Sequence, residues 1–416
     1  MHVFDHAGSK GAIFYRPNTI YSLIGSNHKT KVLLLLLYLK HLQKTRFLQG
    51  EEGEGMNMAD YLLIETEKLR SFCEKIFISH GFRKEESAII TDVLIRADLY
   101  GIESHGVQRL IRYHNEIQSG LADVAGKPEI CHETEISAVM DACKTMGQLV
   151  SVEAMNLAIK KAQARGCGMV TVRNSNHYGI AGYYSNMAAD KDFLGICMTN
   201  TEAIGVPTFG SQAMLGTNPI ALAMPADPVN FSYDAATTVV TRGKLEVYNK
   251  NNHTLPRQWA LDAAGNPTTN AGEVIQNIIQ KAGGGIAPLG GVGDLFGGHK
   301  GYGLGIIVDL FTALFSGGLT SNYVNIKPGL NGICHCFIAL DYGIFGSKAE
   351  IKKNVSTFLE ELRKSKKAEG QERIYTHGEK EAEMMASRMN GSIPVNEKTF
   401  EEFREIAAAQ GVAWEF

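Results

Sequence analysis

Two histidines and an arginine stand where their types and spacing could handle a small acid. In Ile102-Glu103-Ser104-His105-Gly106-Val107-Gln108-Arg109, a serine is placed to cap a helix start, and the spacing 105, 109, 112 puts His105, Arg109 and Arg112 on one polar face. A guanidinium fork beside a positive helix terminus is a natural receptor for a carboxylate. The same string also fits an N-cap followed by solvated basic side chains. The second segment, Val172-Arg173-Asn174-Ser175-Asn176-His177-Tyr178-Gly179, directly follows an apolar strand, so His177 lies in a loop held rigidly at the end of a sheet. Imidazole, with a reference pKa near ~6.5, can exchange a proton in either direction at neutral pH, which is what oxidising an alcohol with a nicotinamide requires of a base. A lone histidine in a polar turn is more often structural than catalytic.

Four further segments could contact a ribose or phosphate. Thr199-Asn200-Thr201, Gly216-Thr217-Asn218-Pro219 and Tyr233-Asp234-Ala235-Ala236-Thr237-Thr238 set small residues beside hydroxyls and an aspartate, a mixture that suits a sugar and suits ordinary turns equally well. Gly297-Gly298-His299-Lys300-Gly301-Tyr302-Gly303 opens a helix, so free backbone N–H groups and a lysine converge where an anion could sit. A glycine-rich helix start is also a packing device.

The elements that must position these residues follow from hydrophobic periodicity. Leu69, Phe72, Cys73, Ile76 and Phe77 recur at helical spacing, and Ile89, Ile90, Val93, Leu94 and Ala97 do so after Gly81, which predicts an antiparallel helix pair. A third helix is expected to begin after Ser104. From Pro128 to Tyr342 short apolar runs, Met169 to Val172, Leu194 to Met198, Ile220 to Met224 and Ile333 to Leu340, read as strands separated by Gly, Pro and Asn turns. Helices are expected from Met155 to Arg165 and from Tyr302 to Phe315, and three more apolar-periodic stretches close the chain. The body is therefore mixed α/β.

Composition narrows the functional classes. The 416 residues carry 44% hydrophobic residues and a net charge of -3 without long blocks of one sign, so the chain can bury cores and shows no footprint for nucleic acid or a membrane surface. Seven cysteines, mostly single among apolar neighbours, fit a reducing compartment, hence a cytoplasmic protein. Cys334-His335-Cys336 alternates across a strand and lacks the ligand spacing of a zinc site, so no metal is expected. No G-x-G-x-x-G links a strand to a helix, and Walker, H-E-x-x-H and G-x-S-x-G motifs are likewise missing from the sequence. A nucleotide site here must be built by other means.

Taken together, S-H-G-x-x-R, the N-H-x-G loop, L-G-T-N-P and G-G-H-K-G-Y-G-L resemble the type II malate/L-lactate dehydrogenase family, which includes ureidoglycolate, L-sulfolactate and diketogulonate enzymes. The likeness runs from about Leu63 to the C-terminus. It implies a non-Rossmann mixed-sheet α/β fold with flanking helical segments, a homodimer, and hydride transfer between NAD or NADP and a small 2-hydroxy or 2-oxo acid. Malate/oxaloacetate or L-lactate/pyruvate is the first expectation, ureidoglycolate or diketogulonate the second, and a non-catalytic nucleotide or anion binder a remote third. By the same resemblance His177 is the catalytic acid/base, with His105 a second candidate, and Ser104, His105 and Arg109 line the substrate pocket. Cofactor contacts fall on Thr201, Asp234, Ala235, Ala236, Lys300, Gly301, Asn354, Gly378, Glu379 and Lys380. The usual Pro-Gly-Glu is His377-Gly378-Glu379 here, and Glu103 occupies a position where members vary and could bear on substrate choice.

Four segments are expected: a leader over 1–57, a helical segment over 58–125 that packs with the C-terminal helices, a mixed α/β cofactor- and substrate-binding body over 126–349, and a C-terminal helical segment over 350–416. The first is set apart by Gly50-Glu51-Glu52-Gly53-Glu54-Gly55, whose codons are purine-rich like a ribosome-binding site, and by an apolar run, Val32 to Leu39, far short of the ~20 residues a bilayer needs. Translation is expected to start at Met56 or Met58, the alternative reading of 1–57 being a disordered tail or a targeting peptide.

Overall fold

The computed structural model describes residues 61–416, and the expected leader lies outside them. Strand β1 (Tyr61–Glu65) leads into helices α1 (Thr66–Ser79) and α2 (Lys84–Leu99). The periodic residues Leu69, Phe72, Cys73, Ile76 and Phe77 all lie on the buried side of α1, and Ile90, Val93, Leu94 and Ala97 on that of α2. The third helix departs from expectation. After α2 the chain makes two short 3-10 turns, Glu103–His105 and Val107–Arg109, before helix α3 (Leu110–Gln118) begins. Ser104 caps nothing, because a free amide at this start, Val107 N–H, is bonded instead to the buried Asp98 carboxylate at 2.7 Å.

The central body runs through β2 (Glu129–Glu133), β3 (Ser137–Asp141), α4 (Gly147–Arg165), β4 (Cys167–Ser175), α5 (Ala181–Ala189), β5 (Leu194–Thr199), β6 (Ile220–Met224) and β7 (Phe231–Ala235). Helix α4 starts at Gly147 rather than Met155, since its buried face includes Ser151, Ala154, Ala158 and Ala162, too small to give a strong apolar signal. Those small residues bring it close to β4: a Cβ on Gly168 would lie 1.9 Å from the Ala158 carbonyl oxygen. The run at Tyr233, expected as a loop, begins as strand, because β7 is a sheet edge where polar side chains are tolerated.

A satellite follows, in which α6 (Arg242–Lys250) and α7 (Ala271–Gln280) cover the short strands β8 (Ala260–Leu261), β9 (Pro267–Thr268) and β10 (Gly285–Ile286). Helix α8 (Gly298–Asp309) then continues as one π-helical turn, Leu310–Leu314, before β11 (Ile333–Leu340). Strand β11 enters the middle of a seven-stranded sheet of order β2-β3-β4-β11-β5-β6-β7, in which β3 and β4 run parallel and the other pairs antiparallel. His335, at the centre of β11, uses both ring nitrogens on hydroxyls, Thr199 Oγ1 and Ser175 Oγ, each at 2.8 Å.

The chain closes with α9 (Lys348–Lys364), α10 (Glu379–Arg388), β12 (Ser392–Asn396) and α11 (Glu397–Gln410). Strand β12 pairs antiparallel with β1, and Ile393, Val395, Phe403 and Ile406 complete the apolar core begun by α1, α2 and α3. Among the described residues no helix is long and apolar enough to cross a membrane.

Candidate functional site

The corner that carries His105 is shaped from behind. Asp98, buried at the end of α2, accepts Val107 N–H, and a Cβ on Gly106 would lie 2.0 Å from its Oδ1, so only glycine admits the turn. Arg388 of α10 reaches across to donate to the Asp98 carbonyl at 2.5 Å and to pair with Glu103 at 3.2 Å. Glu103 therefore faces a structural arginine. Within the turn Ser104 Oγ meets His105 Nδ1 at 2.9 Å, and Arg109 Nε donates to the Ser104 carbonyl at 2.6 Å.

His177 arrives from the opposite direction, on the loop after β4. Its neighbour Asn176 is buried and donates to the Lys144 and Thr145 carbonyls at 2.8 and 3.1 Å, which fixes the backbone. Gly147 lies so close that a Cβ there would sit 2.6 Å from the His177 carbonyl oxygen. The ring stacks on His105 with centroids 5.5 Å apart and 27° between planes, and its Nδ1 is 2.8 Å from the hydroxyl of Tyr113 in α3. Gly179 N–H also approaches Nδ1, at 3.4 Å, whereas Nε2 has no hydrogen-bond partner among the described residues. Burial, then the Arg112 guanidinium and His105, hold the His177 imidazole well below its ordinary value. Burial, then Arg109 and Arg112, bring His105 down to about 4. Both rings are thus neutral at pH 7, in a positive field that an entering anion would offset.

Tyr113 was not singled out in the sequence, although it lies one helical turn beyond Arg109. It is fully buried, and a hydroxyl both donates and accepts, so it can hold Nδ1 in either protonation state of the ring. The buried Gln148 amide adjoins the phenol.

The residues expected to touch a dinucleotide are linked by a run of hydrogen bonds and close backbone packing. Thr217 N–H donates to Thr201 Oγ1 at 2.9 Å, Thr237 N–H to the Thr217 carbonyl at 2.8 Å, and Leu289 N–H to the Thr237 carbonyl at 2.8 Å. Gly301 packs directly on Leu289, where a Cβ would meet its oxygen at 2.3 Å, and so brings Lys300 and the start of α8 to the same place. Asp234, followed by Ala235 and Ala236, leads into Thr237 and accepts Gly182 N–H at 2.7 Å, at the start of α5 and a few residues from His177. Beneath this set the buried Asp309 carboxylate accepts from Asn200, Asn218 and Ser321, so the loops bearing Thr201 and Thr217 share one anchor. The loop before α10 joins through Ser232 N–H to the His377 carbonyl at 3.1 Å, and Gly378 takes φ +99°. Glu379 spends its carboxylate on Thr376 and Arg373, and Lys380 lies over the Tyr375 ring. Asn354 is exposed on α9, whose Lys352 and Ser356 bind Asp227 in the β6–β7 connection and whose Arg363 donates to Thr376 Oγ1 at 3.0 Å, beside the Gly378 turn. Hydroxyls, an exposed carboxylate and an exposed ammonium are a donor set that fits the ribose and phosphate groups of NAD or NADP.

The sequence model of the malate/L-lactate dehydrogenase family matches residues 64–404. The chain is 43% identical to a malate dehydrogenase of Pyrococcus horikoshii over 354 residues, 85% of this chain and 97% of that one. It is 34% identical to a malate/(S)-sulfolactate dehydrogenase of Methanothermus fervidus over 349 residues, 83% of this chain and 97% of that one. A crystal structure of malate dehydrogenase from Entamoeba histolytica aligns with a TM-score of 0.82 at 34% identity, covering 86% of this chain and 100% of the other.

Proposed function

The chain belongs to the malate/L-lactate dehydrogenase family, an NAD(P)-dependent oxidoreductase acting on a small 2-hydroxy acid, and we propose that its substrate pair is malate and oxaloacetate. The observation that carries the reading is the meeting of His177, His105 and Tyr113 beside two guanidinium groups. Arg109 receives the C1 carboxylate on its terminal nitrogens, which its Nε bond to Ser104 leaves in position. His177 Nε2 exchanges the proton with the C2 oxygen, and His105 and the guanidinium field stabilise negative charge there. In the oxidising direction the neutral ring accepts the hydroxyl proton. The nearby positive charges then favour its release once the product anion leaves.

NAD or NADP, when bound, supplies the nicotinamide carbon that accepts or donates hydride. Thr201, Asp234, Ala235, Ala236, Lys300, Gly301 and Gly378 would hold it, with Glu379 and Lys380 shaping the adjoining turn. Asn354, on the helix whose Arg363 meets Thr376, would contribute from beside that turn. The enzyme acts as a homodimer in the cytoplasm. A second copy gives cover to the exposed apolar stripe Ile306, Ile307, Leu310 and Leu314, and the seven unpaired cysteines suit a reducing compartment.

The test is nicotinamide absorbance followed against oxaloacetate, pyruvate, sulfopyruvate and diketogulonate with each reduced nucleotide. Oxaloacetate should turn over fastest, and His177→Ala should lose on the order of a hundredfold or more in turnover while retaining cofactor affinity. Cofactor binding without turnover of any acid would favour a non-catalytic binder, and unchanged turnover in His177→Ala would remove that residue from its role.

A further inference from the structure

Resting on the dehydrogenase reading, we propose that Arg112 receives a second anionic group of the substrate, so that the site selects a dianionic 2-oxo acid over a monoanionic one. Arg109 and Arg112 are mounted alike. Each is pinned through Nε, Arg109 by the Ser104 carbonyl at 2.6 Å and Arg112 by Glu116 Oε1 at 2.8 Å. Among the described residues neither has a hydrogen bond on its terminal nitrogens, so two guanidinium forks are left available. An arginine present only to neutralise Glu116 would be expected to turn its fork onto the carboxylate, yet Glu116 Oε2 is buried without a partner while Arg112 remains one-third exposed.

Both forks bear on the reacting centre. Arg112 directly precedes Tyr113, whose hydroxyl meets His177 Nδ1 at 2.8 Å, and Arg109 follows His105, which stacks on His177, so both guanidinium groups act on the two imidazoles. Their three-residue offset on one helical face places the side-chain roots about 5–6 Å apart. A four-carbon diacid, with carboxyl carbons three bonds apart, can address two such groups while its C2 oxygen faces Nε2. Pyruvate would satisfy one fork and leave the other desolvated and unpaired. A sulfonate would meet the second fork as a carboxylate does, and a relative with 34% identity carries malate and sulfolactate together in its name.

The test uses the full chain with reduced cofactor and compares wild type, Arg112→Gln, Arg112→Lys and Arg109→Gln on oxaloacetate, sulfopyruvate and pyruvate. In Arg112→Gln the ratio of dianion to pyruvate kcat/KM should fall roughly 10- to 150-fold, chiefly through KM, the loss expected for a charged hydrogen-bond pair. Arg112→Lys should recover part of it, while Arg109→Gln should depress all three acids together. Arg112→Gln combined with Glu116→Gln removes the stranded carboxylate and guards against loss of the fold. Equal losses on dianion and monoanion would overturn the proposal, as would a wild type without preference for a dianion. Whichever of oxaloacetate and sulfopyruvate suffers more identifies the second group as carboxylate or sulfonate. Succinate and propionate titrated into the cofactor complex decide the matter apart from turnover. Tighter succinate binding that depends on Arg112 sustains the assignment even if no oxo acid is reduced, in which case the dehydrogenase reading alone fails; equal binding of the two acids overturns it.

Discussion

Deleting one oxygen from the second layer of the site tests how its imidazole is aimed. Tyr113→Phe keeps the ring that α3 buries and removes only the hydroxyl 2.8 Å from His177 Nδ1. Nδ1 then keeps only the long Gly179 N–H contact at 3.4 Å, and leaving a buried polar atom poorly paired costs about 1–3 kcal/mol. If that cost falls on the proton-transfer step, a factor of ten per ~1.4 kcal/mol converts it to a loss of roughly 5- to 150-fold in turnover. Stacking on His105 persists and should keep the ring in place, so the loss stops short of that in His177→Ala. Cofactor affinity and the KM for the oxo acid should move by less than about threefold, since no binding group is removed. The assay is steady-state kinetics in both directions, with a cofactor titration alongside. Full turnover in Tyr113→Phe would mean that stacking alone orients the ring, and the phenol would lose its part in the mechanism.

Gly106→Ala drives a methyl group to within 2.0 Å of Asp98 Oδ1, so the Asp98 to Val107 bond must give way. We expect a stability loss of about 2–3 kcal/mol together with a raised KM for the acid, and a wild-type denaturation midpoint and KM would contradict the account of this turn. His335 supplies a pH dependence. Burial lowers its folded-state pKa from 6.5 to about 3, so the unfolded chain binds the proton that the folded one refuses. Stability is therefore lost as pH falls from about 6.5 toward about 3, by up to several kcal/mol from this group. His335→Gln should flatten that slope in acid denaturation relative to wild type; an equal slope would show that other groups carry it.

Much of this organisation was legible in the sequence because it is local. The periodicity around Leu69 and Ile90 wrote α1 and α2, and the unbroken run from Ile333 to Leu340 wrote β11 at its observed bounds. Elements defined by distant partners were not legible. Strands β1 and β12 are five residues each and exist because Tyr61 finds Asn396 and Glu65 finds Ser392, a pairing that no local window contains. The start of α4 was hidden because close packing there demands alanine and serine, residues that carry little hydrophobic signal. At the site, His105, Arg109 and His177 were visible as chemistry on suitable elements, whereas Tyr113 and Asp98 read as an ordinary buried aromatic and a helix-end acid. Their importance arises only when α2, α3 and the loop after β4 come together. Ser104 was misjudged for the same reason: its capping role was taken by Asp98, a residue from another element.

The contact between Arg388 and Asp98 spans 290 positions. During synthesis, His105, Arg109 and His177 all leave the ribosome well before α10 exists, and until then the Asp98 carbonyl and the Glu103 carboxylate lack the guanidinium that ties them together. An emerging chain can therefore carry all three side chains before the turn that holds His105 has its brace. That brace is an arginine from another helix, buried behind the turn it supports.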